Sequence, residues 1–355
     1  MKRKAVVAMS GGVDSSVAAA LMKEDGYEVT GIMMKLWQGE AANNESGCCS
    51  VDAAEDARRV AQVLDIPFYV FNFAEHFSKT VIQRFVSDYS QGVTPNPCIE
   101  CNRSVKFSAL LERAKAFDAE VLATGHYARV RSAGAGFKLL KGLDSDKDQS
   151  YVLYMLGSGD LAHAQFPVGE YRKPEIREIA ASLGLRTAAK PESQEICFVP
   201  NGDSHAFLRE KVPAGSQPGP ILTTDGERIG SHRGFAHYTV GQRRGLGVGL
   251  GYPVFVKQVR ADDNALIVGT AEEMLSDEIE VQEVSFVGQT PSTEFEASVM
   301  TRYRGQEADA KIRRSGSRWI ASFREPQGIA APGQAAVFYR DEELLGGGTI
   351  VRTSD

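Results

Sequence analysis

Met9-Ser10-Gly11-Gly12-Val13-Asp14-Ser15-Ser16 decides the fold. It follows Lys4–Met9, whose Ala-Val-Val-Ala centre reads as a buried strand, and it opens Val13–Lys23, a helically spaced stretch closed by Asp25-Gly26. An open parallel sheet places its anion site here, outside the carboxyl end of a strand. Gly11 and Gly12 let the backbone approach phosphate oxygens and accept positive φ. The unpaired amides of a helix start, with the dipole behind them, favour negative charge. Ser10 and Ser15 add hydroxyl donors, whereas Asp14 sits oddly beside phosphates unless Mg²⁺ lies between them. The pattern Gly-x₄-Gly-Lys-Ser/Thr of γ-phosphate transfer is absent. A capped helix start after a glycine turn is the plainer alternative, and six residues in this context weigh against it.

Outward from the loop, strands and helices alternate. Glu28–Met34 reads as a strand. Ser50 caps a helix through Leu64 with Val51, Ala54, Ala57, Val60, Ala61 and Leu64 on one face. Pro67–Phe73 is a strand, Ala74–Tyr89 a helix broken over Gly92–Pro97, Val105–Phe117 a helix, Glu120–Thr124 a strand and Pro174–Leu183 a further helix. The fold class is α/β, with an N-terminal Rossmann-like parallel sheet covered on both faces. After about Pro200, glycine and proline become frequent and alternation replaces helical spacing. Ile229–Tyr238 and Tyr252–Val259 read as strands, and about six short strands between Ile279 and Val351 predict a small C-terminal β-barrel. The expected domains are 1–200, a small central unit 201–272, and the barrel 273–355. Gly245–Gly251 superficially resembles a dinucleotide loop, but it precedes a strand and reads as a flexible basic loop with Arg243 and Arg244.

The 355 residues exceed what one core usually serves. With 43% hydrophobic and 24% charged residues, the composition is that of a globular chain. No apolar run approaches the roughly 18–20 residues of a membrane helix, and the start resembles no signal peptide, so a cytoplasmic protein with no membrane partner is expected. Net charge is −6, yet Arg228–Arg260 holds six Lys/Arg and no acid, and Thr301–Arg324 holds seven against Glu307 and Asp309. A local basic face of this kind keeps RNA open as a partner.

The five cysteines, Cys48, Cys49, Cys98, Cys101 and Cys197, make no disulfide framework. Pro95-Asn96-Pro97-Cys98-Ile99-Glu100-Cys101-Asn102 puts two thiols on one turn after a rigid proline entry, and a helix start and Lys106 nearby would lower a thiol pKa below the ordinary value of about 8.5. Cys197, between Ile196 and Phe198, reads equally as core. Cys48 and Cys49 carry no assigned role.

Six segments in order carry a resemblance: Met9–Ser16, Thr94–Cys98 with Cys101-Asn102, Ala123-Thr-Gly-His-Tyr127, Lys147-Asp-Gln-Ser-Tyr151, Ile196-Cys-Phe198 and Gly241-Gln-Arg-Arg-Gly-Leu-Gly247. Ser-Gly-Gly-x-Asp-Ser is the signature of the PP-loop ATP pyrophosphatase superfamily, and the whole set resembles the bacterial tRNA-specific 2-thiouridylases. The resemblance implies that ATP, with Mg²⁺, adenylates the C2 oxygen of the wobble uridine, position 34, in tRNAs for Lys, Glu and Gln. It implies that Cys197 carries a persulfide supplied by a cysteine desulfurase relay, and that Cys101 is the nucleophile that closes a disulfide with it. It implies an ATP site of Ala8, Met9, Ser10, Gly11, Gly12, Val13, Asp14 and Ser15 with Met34 and Gly125. It implies tRNA contacts at Asn96, Pro97, Cys98, His126, Lys147, Asp148, Gln149, Arg302, Tyr303 and Gln334. Residues 1–200 would then be the catalytic unit and the barrel a tRNA-binding one. Arg302-Tyr303 pairs a phosphate binder with a stacking ring, which suits single-stranded RNA.

Some members have Asp after Asn-Pro where this chain has Cys98, which leaves the general acid/base unassigned. It also opens a less favoured reading: Cys98, Cys101 and Cys197 as ligands of an iron–sulfur cluster with one open iron. No other metal ligands are assigned. Two further alternatives are another PP-loop enzyme, such as an amidating synthetase or a 4-thiouridine synthase, and a non-catalytic RNA-binding protein with a CxxC metal knuckle. The first lacks a glutaminase-like ammonia source, and the second lacks a fourth ligand.

Overall fold

The structure, a computed structural model, describes residues 2–37, 51–134, 136–191, 196–199, 202–291 and 293–353. The expected cap Ser50 and the cysteines Cys48 and Cys49 lie outside the described residues.

Five parallel strands form the first sheet in the order β3-β2-β1-β4-β7: β1 Lys4–Ala8, β2 Glu28–Lys35, β3 Phe68–Asn72, β4 Val121–Ala123 and β7 Ala164–Gln165. The strand β1 is central and its Val6 and Val7 are fully buried, as a parallel sheet covered on both faces requires. Helix Val13–Glu24 packs Val17, Ala18 and Met22 into one core beneath this sheet. On helix Val51–Val63 the buried positions are Ala53, Ala57, Val60 and Ala61, while Val51, expected on the apolar face, is 73% exposed.

The chain after β3 runs as helix from Ala74 to Ser90, with one wider-wound turn at Ser78–Ile82. A second helix starts at Pro97, not at Val105. It continues through a wider-wound Cys101–Leu110 to Lys115. Asn96 explains the earlier start: its side-chain oxygen accepts the Cys98 amide at 3.1 Å, and Pro97 occupies the first helical position, where its missing N–H costs nothing.

Between β4 and β7 lies a hairpin that the sequence pattern did not reveal, β5 Ala128–Ala133 with β6 Gly136–Lys141. The central sheet has the order β10-β11-β8-β9: β8 Gly219–Thr223, β9 Arg228–His232, β10 Phe255–Arg260 and β11 Ala265–Gly269. Ile229–Tyr238 is therefore strand only to His232; Phe235–His237 is a short 3₁₀ turn. Leu246 is buried, so the loop 245–251 is anchored in the core and not a free basic arm.

Six strands close the C-terminal barrel: β12 Leu275–Phe286, β13 Glu294–Met300, β14 Glu307–Ser315, β15 Arg318–Gly328, β16 Ala335–Arg340 and β17 Glu343–Thr353. Pairing of β12 with both β15 and β17 completes the ring, which removes the open edges. The hairpin joins it from outside, Leu139 and Leu140 of β6 pairing with Leu344 and Glu343 of β17. The N-terminal half and the barrel thus share a sheet. Across the barrel strands, Lys311 pairs with Glu294, Arg313 with Glu278, Arg318 with Glu280 and Arg324 with Glu296, so four of the seven cations in the run 301–324 have acidic partners. Among the described residues, no helix is long and apolar enough to cross a membrane.

Candidate nucleotide and thiol site

The buried Ala8 ends β1 and the buried Met9 hands the chain to the loop. Gly11 takes φ +72°, and a Cβ there would overlap the Ala53 carbonyl of helix Val51–Val63. Only glycine fits. Gly12 is the extended N-cap of helix Val13–Glu24 and provides no capping side chain. The serines brace the loop: Ser15 Oγ accepts the Ser10 amide at 3.1 Å and donates to the Gly12 carbonyl at 3.1 Å, and Ser16 Oγ donates to the same carbonyl at 2.8 Å. Met34 and Gly125 sit at the carboxyl ends of β2 and β4, the two strands flanking β1. A Cβ on Gly125 would stand 2.7 Å from the Ser15 amide nitrogen, so this glycine allows the second wall to close on the loop. The residues assigned to ATP therefore converge on one rim.

Asp14 is answered within the protein. Its carboxylate accepts Lys173 Nζ at 2.7 and 2.8 Å and the Tyr127 hydroxyl at 2.7 Å. Lys173, 7% exposed, starts helix Lys173–Ser182. A carboxylate committed in this way is a poor Mg²⁺ ligand, and no group of three His, Cys, Asp or Glu arranged for a metal occurs among the described residues. Lys173 and Tyr127 escaped the sequence reading because nothing local marks a contact across 159 or 113 residues.

The thiol pair lies on the first turns of the helix that Asn96 caps. Cys98 is exposed and Cys101 buried. Cys197 is exposed, and its neighbour Phe198 is buried edge-on to Phe77 and Phe85, with ring centroids 5.8 and 5.2 Å apart. Ile99 and Cys101 belong to the same apolar cluster, so both cysteine segments pack on helix Ala74–Ser90. Cys98, Cys101 and Cys197 do not converge as a three-ligand set. The arrangement does not fit an iron–sulfur cluster.

Contacts run from the loop to the helix of the thiols. Gly125 abuts Asp14 and Ser15, and the next residue, His126, meets Lys106 Nζ through Nε2 at 3.4 Å, on the helix that carries Cys101. An ammonium only donates, so Nε2 accepts and Nδ1–H donates to Thr124 Oγ1 at 2.7 Å. Burial, and then the Lys106 charge, hold the imidazole well below its ordinary value of 6.5, so it is neutral. It lies between Phe107 and Phe166.

The remaining residues assigned to tRNA divide in two. Asp148 accepts the Gly142 and Ser150 amides and the Ser150 hydroxyl, Gln149 accepts the Tyr127 amide, and half-buried Lys147 lies in the same turn. Burial raises the Asp148 carboxyl despite those bonds. Gln334 donates to the Thr94 carbonyl at 2.8 Å, so the barrel grips the loop ahead of Asn96-Pro97-Cys98. Arg302 is exposed. Tyr303 packs on Tyr151 at 6.0 Å, and its phenol is raised by burial, countered by Arg304, with smaller raising contributions from Asp148 and Cys98. The barrel therefore reaches the thiol helix. A cleft of about 280 Å³ between helix and barrel, lined by Arg84, Asp88, Asn96, Pro97, Glu100 and Arg103, excludes both cysteines from its walls.

This chain is 48% identical over 351 residues to the tRNA-specific 2-thiouridylase MnmA of Chloroflexus aggregans, covering 98% of each chain. It belongs to the tRNA-specific 2-thiouridylase family. The 2-thiouridylase of Heliobacterium modesticaldum is 46% identical over 364 residues, covering 100% of this chain and 94% of its own. Family profiles match three segments of the chain: a tRNA methyl transferase HUP domain over 3–201, a tRNA methyl transferase PRC-barrel domain over 205–270 and an aminomethyltransferase beta-barrel domain over 276–350. A crystal structure titled as a 4-thiouridine synthetase–RNA complex with bound ATP matches 59% of this chain and 50% of its own at 18% identity, TM-score 0.37.

Proposed function

We propose that this protein is an ATP-dependent tRNA sulfurtransferase that converts the wobble uridine of tRNAs for Lys, Glu and Gln to 2-thiouridine. The observation that carries the reading is the unbroken path from the glycine-walled loop, through Gly125, His126 and Lys106, to the helix of Cys98 and Cys101. It links an anion cradle to the helix that carries two thiols, which supports a reaction in which an activated oxygen is replaced by sulfur.

The uridine C2 carbonyl is a poor electrophile. Attack of its oxygen on the α-phosphate of ATP expels pyrophosphate and makes that oxygen part of a leaving group. The amides at the start of helix Val13–Glu24 hold the polyphosphate. Mg²⁺, when it accompanies the nucleotide, adds charge neutralisation there. A Cys197 persulfide attacks C2 with its outer sulfur, and the Cys101 thiolate then takes Cys197 Sγ. The Cys197 S–S bond breaks, a Cys101–Cys197 disulfide forms, and the sulfur left on C2 expels AMP. Two thiols lose two electrons, the transferred sulfur gains them, and an external dithiol resets the pair. His126, neutral and buried, positions Lys106 against this centre, and the target base, drawn out of its stack, would meet Asn96–Cys98. A cytoplasmic location and a cysteine desulfurase relay as sulfur source complete the reading.

Labelling ATP at the α-phosphate tests the first half. We expect AMP and pyrophosphate in equal amounts, dependent on unmodified tRNA. Formation of ADP, or AMP production indifferent to tRNA, would overturn it.

A further inference from the structure

Cys197 is held in place by the residue that follows it. Ile196 to Val199 form a closed turn, the Val199 amide donating to the Ile196 carbonyl at 3.0 Å. Cys197 and Phe198 take its two central positions, the first exposed and the second 3% exposed. The Phe198 ring stands edge-on to three others, with centroids 5.8 Å from Phe77, 5.2 Å from Phe85 and 5.6 Å from Phe207. Phe85 and Phe207 also meet edge-on, at 6.1 Å. All three neighbours are buried, so Phe198 is plugged into an aromatic socket.

Two parts of the chain build that socket. Phe77 and Phe85 lie on the run Ala74–Ser90 and belong to the same apolar cluster as Ile99 and Cys101 of the thiol helix. Phe207 comes from helix Ser204–Lys211, at the head of the central unit, and reaches Phe198 through space. This helix has anchors of its own. Asp203 caps it, its Oδ1 accepting the Ala206 amide at 2.9 Å. His205 shares a hydrogen bond with His237, Nδ1 to Nδ1 at 3.0 Å, on the 3₁₀ turn Phe235–His237 that follows β9. The central unit therefore sets where Phe207 stands. A ring packed edge-on against three neighbours does not slide without opening a void. In a four-residue turn closed by one hydrogen bond, fixing the third residue fixes the second. Sulfur transfer needs reacting atoms about 3–3.5 Å apart, and a misplacement of about 1 Å costs on the order of a hundredfold.

We propose that Phe207 is a positioning residue for sulfur transfer: supplied by the central unit, it closes the socket around Phe198 and so fixes the turn that presents Cys197. The central unit, which holds none of the residues assigned to catalysis, ATP or tRNA, thereby takes part in the reaction. The inference rests on the reading of Cys197 as sulfur carrier, but the positioning itself is measurable without turnover.

The test uses the full chain with Phe207→Leu and Phe207→Ala. Phe235→Leu is the control, because Phe235 is buried in the same unit and, among the described residues, has no ring contact with Phe198. The first readout is iodoacetamide alkylation of Cys197 relative to Cys98, also exposed, by peptide mass spectrometry without ligands. The second is 2-thiouridine formed per pyrophosphate released, with ATP, unmodified tRNA and glutathione persulfide. In the proposed sequence pyrophosphate leaves before either thiol acts, so a displaced Cys197 lowers this yield and leaves the KM for ATP unchanged. We expect Phe207→Ala to change the alkylation ratio at least threefold and to lower the yield at least tenfold. Phe207→Leu should move both at least twofold, which keeps the test decisive where the alanine variant does not fold, and Phe235→Leu should match the wild type. Wild-type values in a folded Phe207 variant, or an equal change in Phe235→Leu, would overturn the proposal. A wild type that releases no pyrophosphate would sink the functional reading instead, and the alkylation ratio then decides the socket alone.

Discussion

Replacing Lys173 by methionine should unbalance the nucleotide loop in a measurable way. Lys173 is 7% exposed, and the side chain of its partner Asp14 is 28% exposed. The lysine contributes contacts of 2.7 and 2.8 Å to one carboxylate, and methionine keeps the apolar length of the stem while deleting the charge. Breaking a buried pair from one side costs about 3–5 kcal/mol because the other charge is stranded. Asp14 keeps the Tyr127 hydroxyl and some solvent, so we take about 2–3 kcal/mol here. For a domain of about 200 residues that is a fall in Tm of roughly 5–10 °C. Asp14→Asn in the Lys173→Met background removes the stranded charge and is expected to recover at least about 1 kcal/mol. Thermal unfolding by circular dichroism of the four proteins forms the cycle. A loss below about 0.5 kcal/mol in Lys173→Met, or a double variant as unstable as the sum of the singles, would refute the claim that this lysine neutralises the loop aspartate.

Gly125→Ala should push its Cβ to 2.7 Å from the Ser15 nitrogen and weaken ATP binding at least tenfold by isothermal titration, with the barrel intact. Gly333→Ala, whose Cβ would meet the Thr94 carbonyl oxygen at 2.9 Å, should loosen the barrel from the thiol loop, lowering turnover while leaving ATP affinity unchanged. His126 gives a pH signature. Its folded pKa lies well below the unfolded 6.5, so below pH 6.5 the unfolded state binds the proton first. Its contribution is full above pH 6.5 and is lost as pH falls, at about 1.4 kcal/mol per pH unit, until the folded pKa is reached. His126→Gln should flatten that part of the stability–pH curve, measured by urea unfolding between pH 5 and 7.

The parts legible in the sequence are those whose cause is local. Gly11 and Gly12 between an apolar run and a helix fixed the position of the loop, whereas Gly92–Pro97 read only as a break and the periodicity put the next helix start at Val105, because the wider-wound turns from Cys101 to Leu110 spoil a 3.6-residue rhythm. Alternation announced the barrel strands. The hairpin β5–β6 stayed hidden: Ala128–Ala133 and Gly136–Lys141 are short and half-polar, and what defines them is pairing with β17 some 200 residues later. Val51 fits the apolar face of its helix by spacing and is nevertheless exposed. At the site, residue types foretold the glycines and thiols, but the cations Lys173 and Lys190 reach the loop from 159 and 179 residues away. Two residues assigned to RNA by resemblance, Asp148 and Gln149, use their side chains to hold Gly142, Ser150 and Tyr127, a role that sequence spacing does not display.

The central claim is that the thiols of this chain exchange an activated oxygen for sulfur. The most direct measurement is nucleoside mass spectrometry of unmodified tRNA for Glu after incubation with ATP and a persulfide donor, with wild type, Cys101→Ser and Cys197→Ser in parallel. We expect 2-thiouridine with the wild type alone, while both variants bind tRNA as the wild type does. Thiolation that survives in either variant, or a wild type that leaves uridine unchanged, would contradict the account.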